Sequence, residues 1–493
     1  MAPIDFKALL TVEQDAPVWK HSDKVPGEEE DKDVDMEMTW YELEYKDYIL
    51  KFTLDIFGSQ PKSGFAMYVG LHGGGGTTDR KNNSDWKNWS TYHGPSIQSR
   101  AQRPDQYNDA GDVVQFGAIY MALRFASKRE NDKYNGNTWD THFTPSAQVL
   151  IEKLIMRMLM KDPLTSNDIA RYKSFTQNPE ATSFVDSNQI YLLGFSAGGD
   201  GVYRLSTNLA DRFAAVSMSA GHPGDVQFDN LANTPICLQV GDEDDNYDRN
   251  TTTVDVAFKL DTLALRYPGL YAHNCYVHVH RVAGGDPHNS WSAIETGYSR
   301  GPVLTDLHTW RINPEAGQRH WVMMNTNVVD WVSRYSRYPH PRTVVWNLRS
   351  RPSRDTELDT NWPSKRFFYW LYLRADTDET DTFDVTFERA SNSFYIDRRN
   401  PKPYFGILLS QKMVDFGKKV AVFMRGHGKS KHSIGTFDVK ADEEIRRQTL
   451  DARGDDNLVF DAAIRFKEMI EGEGDKQKRW WVAEVAEKLY DDQ

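Results

Sequence analysis

Ser196 stands between Gly194 and Gly198 in the stretch IYLLGFSAGGDG (190–201), where an apolar run gives way to a helical pattern. A serine on so tight a strand-to-helix turn has its hydroxyl lifted clear of the sheet, as a nucleophile requires. Ala197, Gly198 and Gly199 are small enough to let the chain fold back sharply. The first amides of the following helix point at any negative charge that develops nearby. Taken alone the pattern is weak: with glycine and serine each about 7% of residues, a chain of this length holds one G-x-S-x-G by chance roughly one time in six. An incidental serine on a Gly-rich turn is the competing reading, and the partners of Ser196 must decide.

A second Gly-rich stretch, LHGGGG (71–76), follows a strand-like run upstream. Consecutive glycines let backbone N–H groups approach a ligand closely. Gly73 and Gly74 are therefore candidates for one half of an oxyanion hole, with the N–H of Ala197 as the other half. A phosphate-cradling loop would need a Lys-Ser/Thr ending, and the continuation here is GGGGTTDR. His72 is expected to brace this loop.

A serine nucleophile needs a base and a group to orient that base. After the apolar run ICLQV comes GDEDDNYDRN (241–250), and Asp244, three residues past Gly241, is the candidate acid. Asp242, Asp245 and Asp248 compete with it. The next strand-like run, CYVHVHRV (275–282), leads into AGGDPHNSW (283–291), so His288 is the candidate base and His320 in GQRHWV the alternative. His278 and His280 share one strand face, but no third ligand at a convincing spacing makes them a metal pair. No metal or organic cofactor is expected.

The elements that must position these groups are legible in outline. Short apolar runs at 50–56, 65–71, 116–123, 190–195, 214–220, 236–240 and 275–282 alternate with helix-period segments. One such segment is 146–162. Another follows Ser196, with Val202, Leu205, Leu209 and Phe213 on one helical face. Strands alternating with helices imply an α/β domain with a largely parallel sheet covered on both faces. Around Pro339 and Pro341 the pattern changes to short strands and turns: 342–348, 366–373, 383–388, 393–399, 404–410 and 418–426. The expected domains are an acidic arm (1–45), an α/β catalytic domain (46–338) and a β-rich, sandwich-like domain (339–493) whose last fifty residues are partly helical.

At 493 residues two cores are expected. The net charge of −12 argues against nucleic-acid partners, since binding a phosphate backbone needs a basic surface. Part of the excess lies in EEEDKDVDME (28–37), seven acidic residues against one lysine, which reads as a solvated arm. Cys237 and Cys275 sit in apolar runs and read as buried thiols, not as a disulfide framework. No apolar stretch approaches the length of a membrane span. MAPIDFKALLTVEQD lacks a basic segment followed by an apolar core, so a cytoplasmic, reducing compartment is expected.

LHGGGG, YLLGFSAGGDGVYRLSTNLADRFAAVSMSAGHPGD (191–225) and VGDEDDNYDRN (240–250) together resemble the α/β-hydrolase superfamily. The nearest branch is the dienelactone-hydrolase and poly(3-hydroxybutyrate)-depolymerase-like esterases, over roughly residues 46–335. The resemblance implies an α/β-hydrolase fold and a serine carboxylesterase with Ser196, Asp244 and His288 as triad, acting on a small-molecule or polymeric ester. The region from 339 is similar to β-domains appended in some large members. Two inserts depart from the pattern. Residues 77–112 add Trp86 and Trp89, and 289–320 with its flank adds Trp291, Trp310 and Trp321. Trp86 and Trp291 are candidates for a substrate pocket or lid, with domain packing as the other explanation. A peptidase or acyltransferase on the same triad, or a scaffold that retains the fold without catalysis, are the alternative functions.

Overall fold

The computed structural model describes residues 20–22, 40–45, 48–74, 92–101, 116–128, 145–164, 178–241, 243–278, 287–288, 300–304, 319–323, 328–350, 366–373, 382–398, 405–425, 431–471, 478–486 and 489. Cα packing divides them into two compact units, one up to Arg337 and one from Tyr338.

Among the described residues, the first unit is built on a sheet of β1 (Lys20–Ser22), β2 (Trp40–Tyr45), β3 (Tyr48–Gly58), β4 (Phe65–Leu71), β5 (Gly117–Lys128), β6 (Val185–Phe195), β7 (Ala215–Ser219), β8 (Ile236–Gly241) and β9 (His273–His278). The spatial order is β1-β2-β3-β5-β4-β6-β7-β8-β9. From β5 to β9 every neighbouring pair is parallel, whereas β1, β2 and β3 join by antiparallel pairing. Parallel strands need crossovers, and four helices lie between them in sequence: α1 (Gly94–Ala101), α2 (Pro145–Met158), α3 (Ala197–Asn208) and α4 (Arg249–Arg266). A fifth, α5 (Val328–Val332), ends the unit.

The central strands read as unbroken apolar runs because both their faces are covered. On one face Tyr68, Tyr120 and Tyr191 pack with Ile97 of α1 and with Val329 and Trp331 of α5. The alternate residues Met67, Val69 and Leu192 are equally buried. Two tyrosine hydroxyls on this covered face are satisfied locally, Tyr191 donating to the Tyr335 carbonyl at 2.9 Å and Tyr68 bonding Ser333 Oγ at 2.5 Å. On α3 the predicted stripe is buried, with Val202 and Leu205 on the helix and Leu209 and Phe213 just beyond it. A separate two-stranded antiparallel sheet, β10 (Arg300–Leu304) and β11 (Arg319–Met323), lies in the second insert.

Among the described residues the second unit contains two five-stranded sheets. One runs β12 (Thr343–Asn347), β15 (Thr382–Glu388), β16 (Ser393–Arg398), β18 (Val420–Arg425), β19 (Lys431–Phe437); the other runs β13 (Phe367–Phe368), β14 (Leu371–Leu373), β17 (Phe405–Leu409), β20 (Ala462–Glu471), β21 (Lys478–Ala486). Rings from both meet in its core: Trp346 on Phe368 at 5.4 Å and Phe383 on Phe405 at 4.7 Å. The single strand expected over 366–373 is instead a tight hairpin, because Tyr369 turns the chain at φ 49° between β13 and β14. Among the described residues the C-terminal stretch is partly helical, with α6 (Glu443–Arg453) and a short 3-10 turn (Asp456–Leu458), and also carries the long pair β20 and β21.

Candidate active site

Strands β4, β6, β8 and β9 run parallel, so the segments that follow them emerge at one edge of the sheet, the carboxyl edge. His72 to Gly74 follow β4, Ser196 follows β6, Asp244 follows β8 and His288 follows β9.

Ser196 has φ 56° and ψ −122°, a conformation that a residue with a side chain adopts only under constraint. The constraints are visible. Its N–H donates to the Ser219 carbonyl on β7 at 2.8 Å, and its own carbonyl accepts from Asp200 N–H at 3.1 Å. The turn closes only because Gly194, Gly198 and Gly199 lack side chains. A methyl at Gly194 would overlap the Gly198 carbonyl, and one at Gly198 would overlap the carbonyl of Leu71. One at Gly199 would stand 2.6 Å from the Ser219 oxygen. The end of β4 and the start of α3 therefore touch backbone to backbone. This contact also brings the Gly-rich loop to the serine, since a Cβ on Gly73 would lie 3.3 Å from Ser196 Cβ. Gly74 follows in the same segment and Ala197 is the first residue of α3.

The imidazole of His288 bridges serine and acid. Its Nδ1 lies 2.6 Å from Asp244 Oδ2 and its Nε2 2.9 Å from Ser196 Oγ. A carboxylate only accepts, so Nδ1–H donates to Asp244 and Nε2 is left to accept the serine proton. The ring also packs on Phe195, with centroids 5.1 Å apart. Asp244 is fully buried, while its rivals Asp245 and Asp248 are exposed. The backbone carbonyl of Asp244 accepts from Asn250 N–H at 3.0 Å, which fixes the residue against the start of α4. Its second carboxylate oxygen, Oδ1, is 3.5 Å from Arg249 Nη1.

His72 is buried and its Nδ1 lies 2.7 Å from the Gly73 carbonyl, the bracing role expected of it. Burial pushes its pKa down to about 4, opposed by the Gly73 bond and helped by the Arg124 charge. It is thus neutral near pH 7, and the loop carries no charge from it.

The other candidates are placed less informatively. His320, the alternative base, lies on β11 opposite Val303. His278 ends β9, and Cys237 is buried on β8. Cys275 is paired in register with Leu238. Trp86, Trp89, Trp291, Trp310, Asp242, His280 and the acidic run 28–37 lie outside the described residues. Among the described residues no group of three or more His, Cys, Asp or Glu is arranged to hold a metal ion, and no helix is long and apolar enough to cross a membrane. Sequence reasoning passed over Arg249 and Asp200, whose carboxylate accepts from His222 N–H. Arg249 had one signal: it is the sole cation in GDEDDNYDRN.

No family model matches the sequence, and no curated protein matches it. Among solved structures the chain is similar, at low identity, to several described as esterases. A thermostable esterase is 16% identical with a TM-score of 0.31, over 66% of this chain and 64% of that one. The chain thus spans just under two thirds of that relative. The BES protein of Bacillus cereus is 13% identical with a TM-score of 0.30, over 54% and 94%. Est1E of Butyrivibrio proteoclasticus is 13% identical with a TM-score of 0.26, over 52% and 94%. Likeness this loose transfers neither a residue's role nor a substrate to this chain.

Proposed function

We propose that this chain is a serine hydrolase that cleaves carboxylic esters through an acyl-enzyme. One observation carries the reading: the unbroken hydrogen-bonded line from Ser196 Oγ through His288 to the buried carboxylate of Asp244. In the first half-reaction His288 Nε2 takes the serine proton as Oγ attacks the ester carbonyl carbon. Asp244 stabilises the resulting imidazolium, and the N–H groups of Ala197 and of Gly73 or Gly74 hold the oxyanion. Collapse expels the alcohol, which leaves with the proton from His288. Water then enters by the same route, with His288 again as base, and releases the acid and the free serine. The substrate is a small-molecule or polymeric ester, and no step calls on a cofactor.

The test is hydrolysis of p-nitrophenyl acetate together with labelling by a fluorophosphonate. Wild type should do both, and Ser196→Ala should lose labelling altogether and turnover by at least about a thousandfold. A Ser196→Ala protein as active as wild type would sink the reading.

The same reading takes residues 46–338 as the catalytic domain and 339–493 as a separate β-rich, sandwich-like domain. The aromatic packing between its two sheets supports this. Two calorimetric transitions are expected, and a single cooperative one would count against it.

A further inference from the structure

Arg249 is the first residue of α4 and approaches the carboxylate oxygen of Asp244 that His288 does not hold. Its Nη1 stands 3.5 Å from Oδ1, while His288 Nδ1 holds Oδ2 at 2.6 Å. The carboxylate torsion of an aspartate is soft, so one bond to one oxygen leaves the plane of the group loosely set. The charge of Arg249, 3.5 Å from the second oxygen, biases it. Asp244 is fully buried and the Arg249 side chain only 13% exposed, so solvent screens this pair poorly.

Arg249 is itself held in place. Nη1 donates to the Asn246 carbonyl at 3.2 Å, and the guanidinium lies 4.9 Å over the ring of Tyr247. Tyr247 and Asp248 both have left-handed backbone, at φ 59° and 54°. Two such residues in succession double the loop back on itself, so that the chain returns to Asp244 five residues after leaving it. The Asn250 N–H bond to the Asp244 carbonyl closes the same ring. The loop thus presents a cation to the acid at the cost of two strained residues.

We propose that Arg249 is a positioning residue for Asp244: it fixes the carboxylate plane from which His288 is oriented and touches no reacting atom. This rests on the reading of Ser196, His288 and Asp244 as the catalytic line. The rival is that Arg249 only ties the loop together through Asn246 and Tyr247. The two differ in a double-mutant cycle, because a positioning group has nothing left to position once the carboxylate is gone.

The experiment measures kcat and KM for p-nitrophenyl acetate in wild type, Arg249→Met, Arg249→Lys, Asp244→Asn and the Asp244→Asn/Arg249→Met double variant, with the thermal midpoint of each. Arg249→Met should lower kcat about tenfold with KM unchanged, and Arg249→Lys should recover most of it. In the Asp244→Asn background the Arg249→Met change should cost less than about twofold. A loss in Arg249→Met below about twofold, or one that multiplies fully with that of Asp244→Asn, overturns the proposal. Should Arg249→Met fail to fold, Arg249→Gln takes its place in the same cycle. Ser196→Ala separates the two levels. An active Ser196→Ala removes the catalytic line itself, whereas an inactive Ser196→Ala beside a fully active Arg249→Met removes only the role of Arg249.

Discussion

Ser196 and Asn392, one in each unit, both hold left-handed backbone, at φ 56° and φ 50°. Asparagine tolerates that region well, because its short amide bonds to nearby backbone. Asn392 does this fully: its Nδ2 reaches the carbonyls of Asp415, Lys418 and Lys419 within 3.2 Å, and its Oδ1 accepts from Asp415 N–H at 2.7 Å. All of its side-chain partners lie in one neighbouring turn. Serine has no such local compensation. Ser196 is held by backbone contacts from β4 and β7, and its hydroxyl bonds a histidine 92 positions away in sequence. The same dihedral thus closes a turn in one unit and presents a hydroxyl in the other. A strained residue whose side chain is consumed locally is architecture; one whose side chain is kept for a distant base is set up for chemistry.

This contrast can be broken at several points. The largest effect is expected at His288. His288→Ala should cut ester turnover by about four orders of magnitude, as loss of a triad base does, while His320→Ala leaves it within about twofold. If His320→Ala were the damaging change, the base would be misassigned. Next comes Asn392→Ala, which should lower the stability of its own unit by about 3 kcal/mol through lost hydrogen bonds and an unsuitable φ, with kcat untouched. In calorimetry only one transition should move. A drop in kcat at constant folded fraction would erase the distinction between the two residues.

The smallest difference between two proteins is expected in their pH dependence, at His93. Burial pushes His72 down to about 4 and His93 to about 3, from an ordinary 6.5. The unfolded chain takes up these protons below pH 6.5 and the folded chain does not. Stability is therefore whole above pH 6.5 and falls as the pH drops toward 4, by roughly 1.4 kcal/mol per pH unit for each histidine. Urea midpoints measured between pH 7 and pH 5 should show this slope, and His93→Gln should reduce it. Equal slopes in the two proteins would mean that His93 is not buried neutral.

How far the sequence carried this picture depended on the kind of signal. The elbow was legible because three glycines and an apolar strand surround Ser196, and its φ follows from that crowding. The order of acid and base followed from where strands end. Choosing Asp244 among four aspartates was harder, because burial separates it from Asp245 and Asp248, and burial depends on how β8 hands over to α4. Arg249 went unnoticed for the same reason: its reach back to Asp244 needs the left-handed pair Tyr247–Asp248, and no glycine marks that reversal. In the second unit, AAIRFKEMIE and KRWWVAEVA carry charges between apolar residues in a way that suits a helix as well as a strand. Only their mutual pairing, Ala463↔Ala486 through Glu471↔Lys478, makes them strands. FFYWLYL hid its turn because neither glycine nor proline interrupts it.

The backbone contact between Gly198 and Leu71 has a practical consequence for anyone redesigning this molecule. The separation of α3 from the end of β4 is set by peptide groups of Gly198 and Leu71 in direct touch. It acts as a rigid spacer. An alanine at Gly194, Gly198 or Gly199 would therefore have to push peptide groups apart and carry the serine out of register with the Gly73 loop.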